Sequence, residues 1–209
     1  MIKRTSRKYM LETIKNNPDW SILDLGSGIQ GWLCAKTYCD VTDCSEHYPE
    51  GDFVQAPADD TPFFDKEFDF VVATHVAEHV PNPEKFLKEL MRISDRGYIE
   101  VPTPFFDNIT QGNSNPPPHG HLWWVSFDDD ANEIVFKPRI HILEEAISPA
   151  NTTVLLPFFE DNMVTRLYWE KEIPFREEQL IFTHIIGNGD PDKRIDLRDK
   201  EIPKFRWRG

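Results

Sequence analysis

The first residues in this chain that could do chemistry are glycines and carboxylates. Gly26, Gly28 and Gly31 stand in a G-x-G-x-x-G spacing directly after the apolar run Ser21-Ile-Leu-Asp-Leu25. Without a Cβ, such a turn lets the backbone approach a ligand closely and take positive φ. A helix opening at Gly31 would aim its free N–H groups at the same place. Asp40 and Asp43 follow at the end of the next apolar stretch, and a carboxylate there suits ribose hydroxyls. The pattern points to a nucleotide-like cofactor.

Histidines supply the second group. His75 stands where an apolar strand ends, the edge of an open α/β sheet at which ligands bind. The run His75-Val-Ala-Glu-His79 fits H-x-x-E-H, a zinc spacing when one helix carries all five residues. Pro81 and Pro83 would stop that helix within a turn, so no metal site is expected. A zinc hydrolase on His75 and His79 is kept as an alternative. His119 and His121, followed by Trp123-Trp124, combine near-neutral imidazoles with flat apolar walls. His75, His119 and His121 are therefore the candidate catalytic residues.

The elements that must position these groups alternate. A helix is expected over Lys3 to Asn16, with strands at Ser21–Leu25, Ala35–Val41, Asp52–Ala56, Phe68–Thr74 and Arg96–Pro102. The run Phe68-Asp-Phe-Val-Val-Ala-Thr74 has the texture of a strand buried on both faces. Asn82 or Pro83 starts a helix that buries Phe86, Leu87, Leu90, Met91 and Ile93. Between Gly31 and the second strand there is room for little more than one helical turn, at the lower limit of about 10–12 residues for a parallel crossover. The helix there must be stunted or irregular.

After Pro102 the texture changes. Thr103 to Gly120 is proline-bearing and reads as a long irregular segment. A β-hairpin is expected from His121–Phe127 and Glu133–Phe136 around Asp128-Asp-Asp130. A short helix at His141–Ile147 and strands at Thr152–Phe159 and Thr165–Ile173 follow, then a charged tail from Gly187. The fold class is α/β: a Rossmann-like, mostly parallel sheet flanked by helices, with a hairpin-rich C-terminal half. One domain is expected over residues 1–209. Its cofactor half is about 20–103, its substrate side about 104–186, and its tail 187–209.

Composition narrows the function classes. The 209 residues are 39% hydrophobic and 28% charged, as in globular chains, and the net charge is −13. That balance argues against nucleic acid as a partner, since binding its phosphates needs clustered Lys and Arg. Lys3, Arg4, Arg7 and Lys8 read as a solvated helix face. No apolar run is long enough for a membrane span and no signal peptide follows Met1. Cys34, Cys39 and Cys44 fit neither metal nor disulfide spacing, which implies free thiols and a cytoplasmic location.

By its pieces and their order, the stretch from Ile22 to Val101 resembles the class I S-adenosylmethionine (SAM)-dependent methyltransferases, in their type-11 branch. The pieces are Leu23-Asp-Leu-Gly-Ser-Gly28, Thr61-Pro-Phe63, Phe68-Asp69 and Glu78-His79-Val80. The resemblance implies SAM as cofactor and methyl transfer to a small-molecule or glycan-like acceptor. It implies that Gly26, Ser27 and Gly28 approach the methionine part and that Asp24 helps hold its amino end. Asp40 would grip the ribose, with Asp43 as the alternative. Pro57 falls where the adenine-side aspartate is usual, leaving Asp59 and the Ala58 N–H as substitutes, and His75 could line the cofactor. A methyltransferase-like binder without catalysis is the second implied possibility. The competing NAD fingerprint, with Asp43 or Glu46 on the ribose, is disfavoured by Asp24, an anion where a pyrophosphate would sit.

Overall fold

A pleated strand sends successive side chains to opposite faces, and the central strands of this protein bury both. The computed structural model describes residues 1–109, 120–139 and 163–178. In chain order the elements are β1 (Ile2–Arg4), α1 (Arg7–Lys15), β2 (Ile22–Leu25), β3 (Thr37–Asp40), β4 (Asp52–Gln55), β5 (Phe70–Thr74), α2 (Pro83–Ile93), β6 (Arg96–Pro102), α3 (Pro104–Ile109), β7 (Trp123–Asp128), β8 (Glu133–Pro138), β9 (Val164–Glu170) and β10 (Phe175–Glu177). A 3-10 turn at Ser45–His47 lies between β3 and β4.

Leu23, Leu25, Val71, Ala73, Ile99 and Val101 share one cluster with Phe86, Leu87, Leu90 and Ile93 of α2. The alternate residues Ile22, Phe70, Val72 and Tyr98 pack with Met10 and Ile14 of α1. Each fully buried aliphatic or aromatic side chain contributes about 1.5–3 kcal/mol. The helix α2 starts as its sequence dictates: the Asn82 side chain accepts the Lys85 N–H at 2.9 Å and Pro83 takes the first position.

The main sheet has seven strands in the order β4-β3-β2-β5-β6-β9-β1. From β4 to β6 all neighbours are parallel, whereas β9 runs antiparallel to both β6 and β1. The chain leaves β2 toward β3 and β4, then returns to β5 on the other side of β2. That reversal is a topological switch point, and open α/β sheets bind ligands at the C-terminal ends of the strands there, here β2 and β5. A second sheet, ordered β10-β8-β7, carries the expected hairpin, with Trp123 opposite Pro138 and Asp128 opposite Glu133.

Several expectations need correction. Ile2 to Arg4 form an edge strand on β9, so the N-terminal helix begins only at Arg7, where the Ser6 side chain caps it by accepting the Tyr9 N–H. The basic N-terminal group is not simply solvated, because Arg4 pairs with Asp129 at 2.7 Å and Arg7 with Glu100. No helix forms between β2 and β3: residues 26–36 close with a turn in which the Ala35 N–H reaches the Trp32 carbonyl at 3.0 Å. The segment after Pro102 begins with helix α3 rather than irregular chain. The helix at His141–Ile147, the strand at Thr152–Phe159 and the tail from Gly187 lie outside the described residues.

Candidate active site

The glycine turn is built over a buried carboxylate. Gly26 and Gly28 have φ of +74° and +52°, the left-handed region that favours glycine. A Cβ on Gly26 would also lie 2.2 Å from Val76 Cγ2, whereas at Gly28 the same position is open. Asp24, 1% exposed, accepts the Trp32 N–H at 2.7 Å through Oδ2. Its Oδ1, like Ser27 Oγ, is buried with no hydrogen-bond partner among the described residues. Burial raises the Asp24 pKa to about 6, against the Trp32 N–H that lowers it, and nearby Asp40 adds to the rise. A buried anionic oxygen without a partner fits an ammonium group, such as the amino end of SAM.

The missing helix has a substitute that sequence reasoning overlooked. Tyr48 Oη accepts the Gly31 N–H at 2.9 Å and lies 2.8 Å from the Gly28 carbonyl and 3.0 Å from that of Ser27. Its ring stacks on Tyr38 at 4.0 Å and on Phe53 at 5.8 Å. Gly31 is small for packing: a Cβ there would meet Tyr38 Cε1 at 2.8 Å and Asp24 Oδ2 at 2.9 Å. With no helix N-terminus at the turn, the dipole that seats a pyrophosphate is absent there, which weighs against the NAD alternative.

The two candidate ribose ligands differ in setting. Asp40, at the end of β3, accepts the Gly28 N–H through Oδ2 and the Thr42 N–H through Oδ1, both at 2.9 Å. Asp43 is exposed and accepts the Ser45 N–H at 3.0 Å, and the Ser45 hydroxyl, then that N–H, hold its carboxyl below the usual pKa. Ala58 and Asp59 are half-buried in the turn after β4, beyond the same sheet edge, and Asp59 Oδ2 lies 4.0 Å from Lys85 Nζ.

His75 leaves β5 with φ of +58°, a strained conformation for a residue with a Cβ. Its N–H donates to the Glu100 carbonyl at 2.8 Å. Nδ1 lies 3.3 Å from Glu78 Oε1 and Nε2 3.5 Å from Glu100 Oε1. Burial lowers its pKa, but the two glutamates outweigh that and raise it to about 9. With 43% of the side chain exposed, solvent screens part of the rise. The rise favours the protonated form, which suits donating a hydrogen bond more than taking a proton as a catalytic base.

Glu78, His79 and His121 meet behind His75. Residues 75–81 form a turn rather than a helix, so H-x-x-E-H does not place His75 and His79 on one face. Instead the Leu122 N–H donates to the Glu78 carbonyl at 2.7 Å, and Trp123 Nε1–H to the Val80 carbonyl at 2.8 Å. Those bonds hold the β7 approach against the turn and fix the Trp123 indole there. His121, 8% exposed, has Nδ1 2.5 Å from Asp107 Oδ1 on α3. His79 Nδ1 lies 3.2 Å from the Gly120 carbonyl, and the two imidazoles meet edge to face at 4.5 Å. Asp107 carried no sequence signal for a role here, and Glu78 was legible only as the glutamate of H-x-x-E-H and of the piece Glu78-His79-Val80. His119 lies outside the described residues.

Residues 23–99 match the family model described as "Methyltransferase domain". No curated protein matches the chain. Among solved structures, YcgJ of Bacillus subtilis is 14% identical with a TM-score of 0.47, covering 80% of this chain and 100% of its own. A protein of Pyrococcus horikoshii is 16% identical with a TM-score of 0.44, covering 80% and 93%. A Thermotoga maritima SAM-dependent methyltransferase, described as a possible histamine N-methyltransferase, is 19% identical with a TM-score of 0.35. That match covers 49% of this chain, which spans 53% of the Thermotoga protein. Over residues 23–99, therefore, the chain is similar to the methyltransferase domains that this family model describes.

Proposed function

We propose that this protein transfers a methyl group from SAM to a small-molecule or glycan-like acceptor. The observation that carries the reading is a juxtaposition at one sheet edge. Asp24, with its unpartnered Oδ1, lies under the positive-φ glycine turn, and Asp40 binds the Gly28 N–H beside it. When bound, SAM supplies a methyl on a sulfonium. Its methyl would bond to an acceptor heteroatom as the bond to sulfur broke, with sulfur keeping the electron pair and the acceptor proton leaving to base or solvent. The protein's main task is then alignment, worth up to roughly 7–11 kcal/mol.

In this reading Asp24 takes the ammonium end, Gly26, Ser27 and Gly28 pass along the methionine part, and Asp40 accepts from the ribose hydroxyls. Ala58 and Asp59 stand on the adenine side. The imidazoles of His75 and His121 face the acceptor, with His119 as a further candidate. The net charge of −13 supports a partner other than nucleic acid. The free thiols of Cys34, Cys39 and Cys44 support a cytoplasmic setting. No described helix is long and apolar enough to cross a membrane.

Titration calorimetry with SAM and its demethylated product tests the cofactor assignment. Both should bind, and Asp40→Ala should weaken them roughly tenfold or more, since it removes charge-assisted hydrogen bonds. Asp43→Ala should change affinity little. The reverse order would move the ribose ligand to Asp43, and no binding at millimolar concentration would end the methyl-transfer reading.

A further inference from the structure

We propose that Glu78, His79 and His121 form a binding site for a divalent transition-metal ion, zinc foremost. One ligand atom from each lies within 4.8 Å of the others. Two imidazoles and a carboxylate are a donor set for zinc and its first-row neighbours, with positions left open for other ligands.

Three independent features prepare these side chains for a cation. Glu78 is 0% exposed, yet neither carboxylate oxygen has an aligned hydrogen-bond partner among the described residues. His75 Nδ1, at 3.3 Å, attracts Glu78 Oε1 only through charge, and His121 Nε2 lies 4.0 Å away. A carboxylate so buried is expensive to keep without compensation. Second, a carbonyl can only accept, so His79 donates from Nδ1 to Gly120 and keeps its lone pair on Nε2. Third, Asp107 takes the Nδ1–H of His121, which leaves Nε2 as the lone-pair nitrogen facing Glu78. An outer carbonyl or carboxylate on each histidine is the arrangement that orients metal-bound imidazoles. The backbone bonds from Leu122 and Trp123 to Glu78 fix the distance between the two segments.

This departs from the expectation of no metal, which rested on the absence of a helix through H-x-x-E-H. The site needs no such helix, because its third ligand arrives from the β7 approach and His75 is not a member. It stands without the cofactor assignment. If the methyl-transfer reading holds, the open positions would take an acceptor oxygen, which the ion would polarise.

The full-length protein, stripped with EDTA and dialysed, is titrated with Co2+ while the visible spectrum is followed, and then with Zn2+ in competition. The expected result is about one ion per chain with d–d bands of a four- or five-coordinate nitrogen–oxygen site. Glu78→Gln and His121→Ala should weaken binding by roughly 100-fold or more, and Asp107→Asn by about 10–100-fold. His47→Ala, on the surface, should leave it unchanged. If a buried variant loses its far-UV circular dichroism, His79→Gln carries the comparison. No d–d bands, equal affinity in wild type and His79→Gln, or thiolate charge-transfer bands would overturn the site. SAM calorimetry in EDTA reads the cofactor site alone, so failure of one assignment is distinguishable from failure of the other.

Discussion

At the scale of single residues, Asp24 is the group whose ionisation matters most. Its pKa of about 6 comes from burial, and the groups around it leave few other titrations in that window. Cys34 and Tyr38 beside it are raised above their ordinary values by burial, with the Asp24 charge contributing, so both stay neutral. Asp40 adds a negative charge to the rise. The sign follows: a raised carboxylate disfavours the folded state as pH climbs from the model-peptide range through 6, whereas a cationic ligand rewards the ionised form. SAM affinity should therefore be near its plateau above pH 7 and fall about tenfold per pH unit well below 6. Calorimetry across pH 5–8 checks this, with Asp24→Asn expected to be weak and flat. A flat wild-type profile would detach Asp24 from the ammonium. The position of Asp24, two residues before the first glycine, was legible in sequence. Its buried, half-satisfied state was not, because that depends on where Trp32 returns.

At the scale of elements, the passage from β2 to β3 shows how a short connection changes what holds a loop. The cramped spacing after Gly31 was readable from chain length alone, and the structure goes further by dispensing with the helix. The strands on either side were legible because apolar runs carry their own signal. Tyr48 was not, since it lies in a stretch without periodicity and its contacts span 17–21 residues. Removing only its hydroxyl should expose its contribution. Tyr48→Phe keeps the stack on Tyr38 and strips the Gly31 N–H of its partner, at an expected cost of about 1–3 kcal/mol. Urea unfolding would measure that loss, and SAM affinity should fall with it because the turn is less fixed. Unchanged stability and affinity would mean that the strands alone hold the turn.

At the scale of the whole molecule, Glu100 joins parts of the chain that sequence proximity keeps apart. From β6 it accepts Arg7 of α1 through both oxygens and, through Oε2, Arg166 Nε of β9 at 3.0 Å and Tyr98 Oη at 2.5 Å. His75 approaches its Oε1 from the end of β5. Sequence reasoning saw Glu100 only as part of a strand and Arg7 as a solvated face, because a 3.6 or 2.0 period says nothing about which charge meets which. The carboxylate is 0% exposed, and burial alone would raise its pKa. His75, Arg7 and Tyr98 outweigh that and hold it well below the usual carboxylate range. A depressed carboxylate stabilises the fold above its unfolded value of about 4.5, and that contribution is lost as pH falls below it. Breaking one side of such a buried network by Glu100→Gln should cost about 3–5 kcal/mol at pH 7, because the side chains of Arg7, Arg166 and His75 lose the carboxylate charge they share. The gap between wild type and variant in urea unfolding should narrow from about pH 5 downward, as the unfolded wild-type chain takes up its proton first. A gap that stays constant from pH 7 to pH 3.5 would show that Glu100 acts through packing and not through its charge.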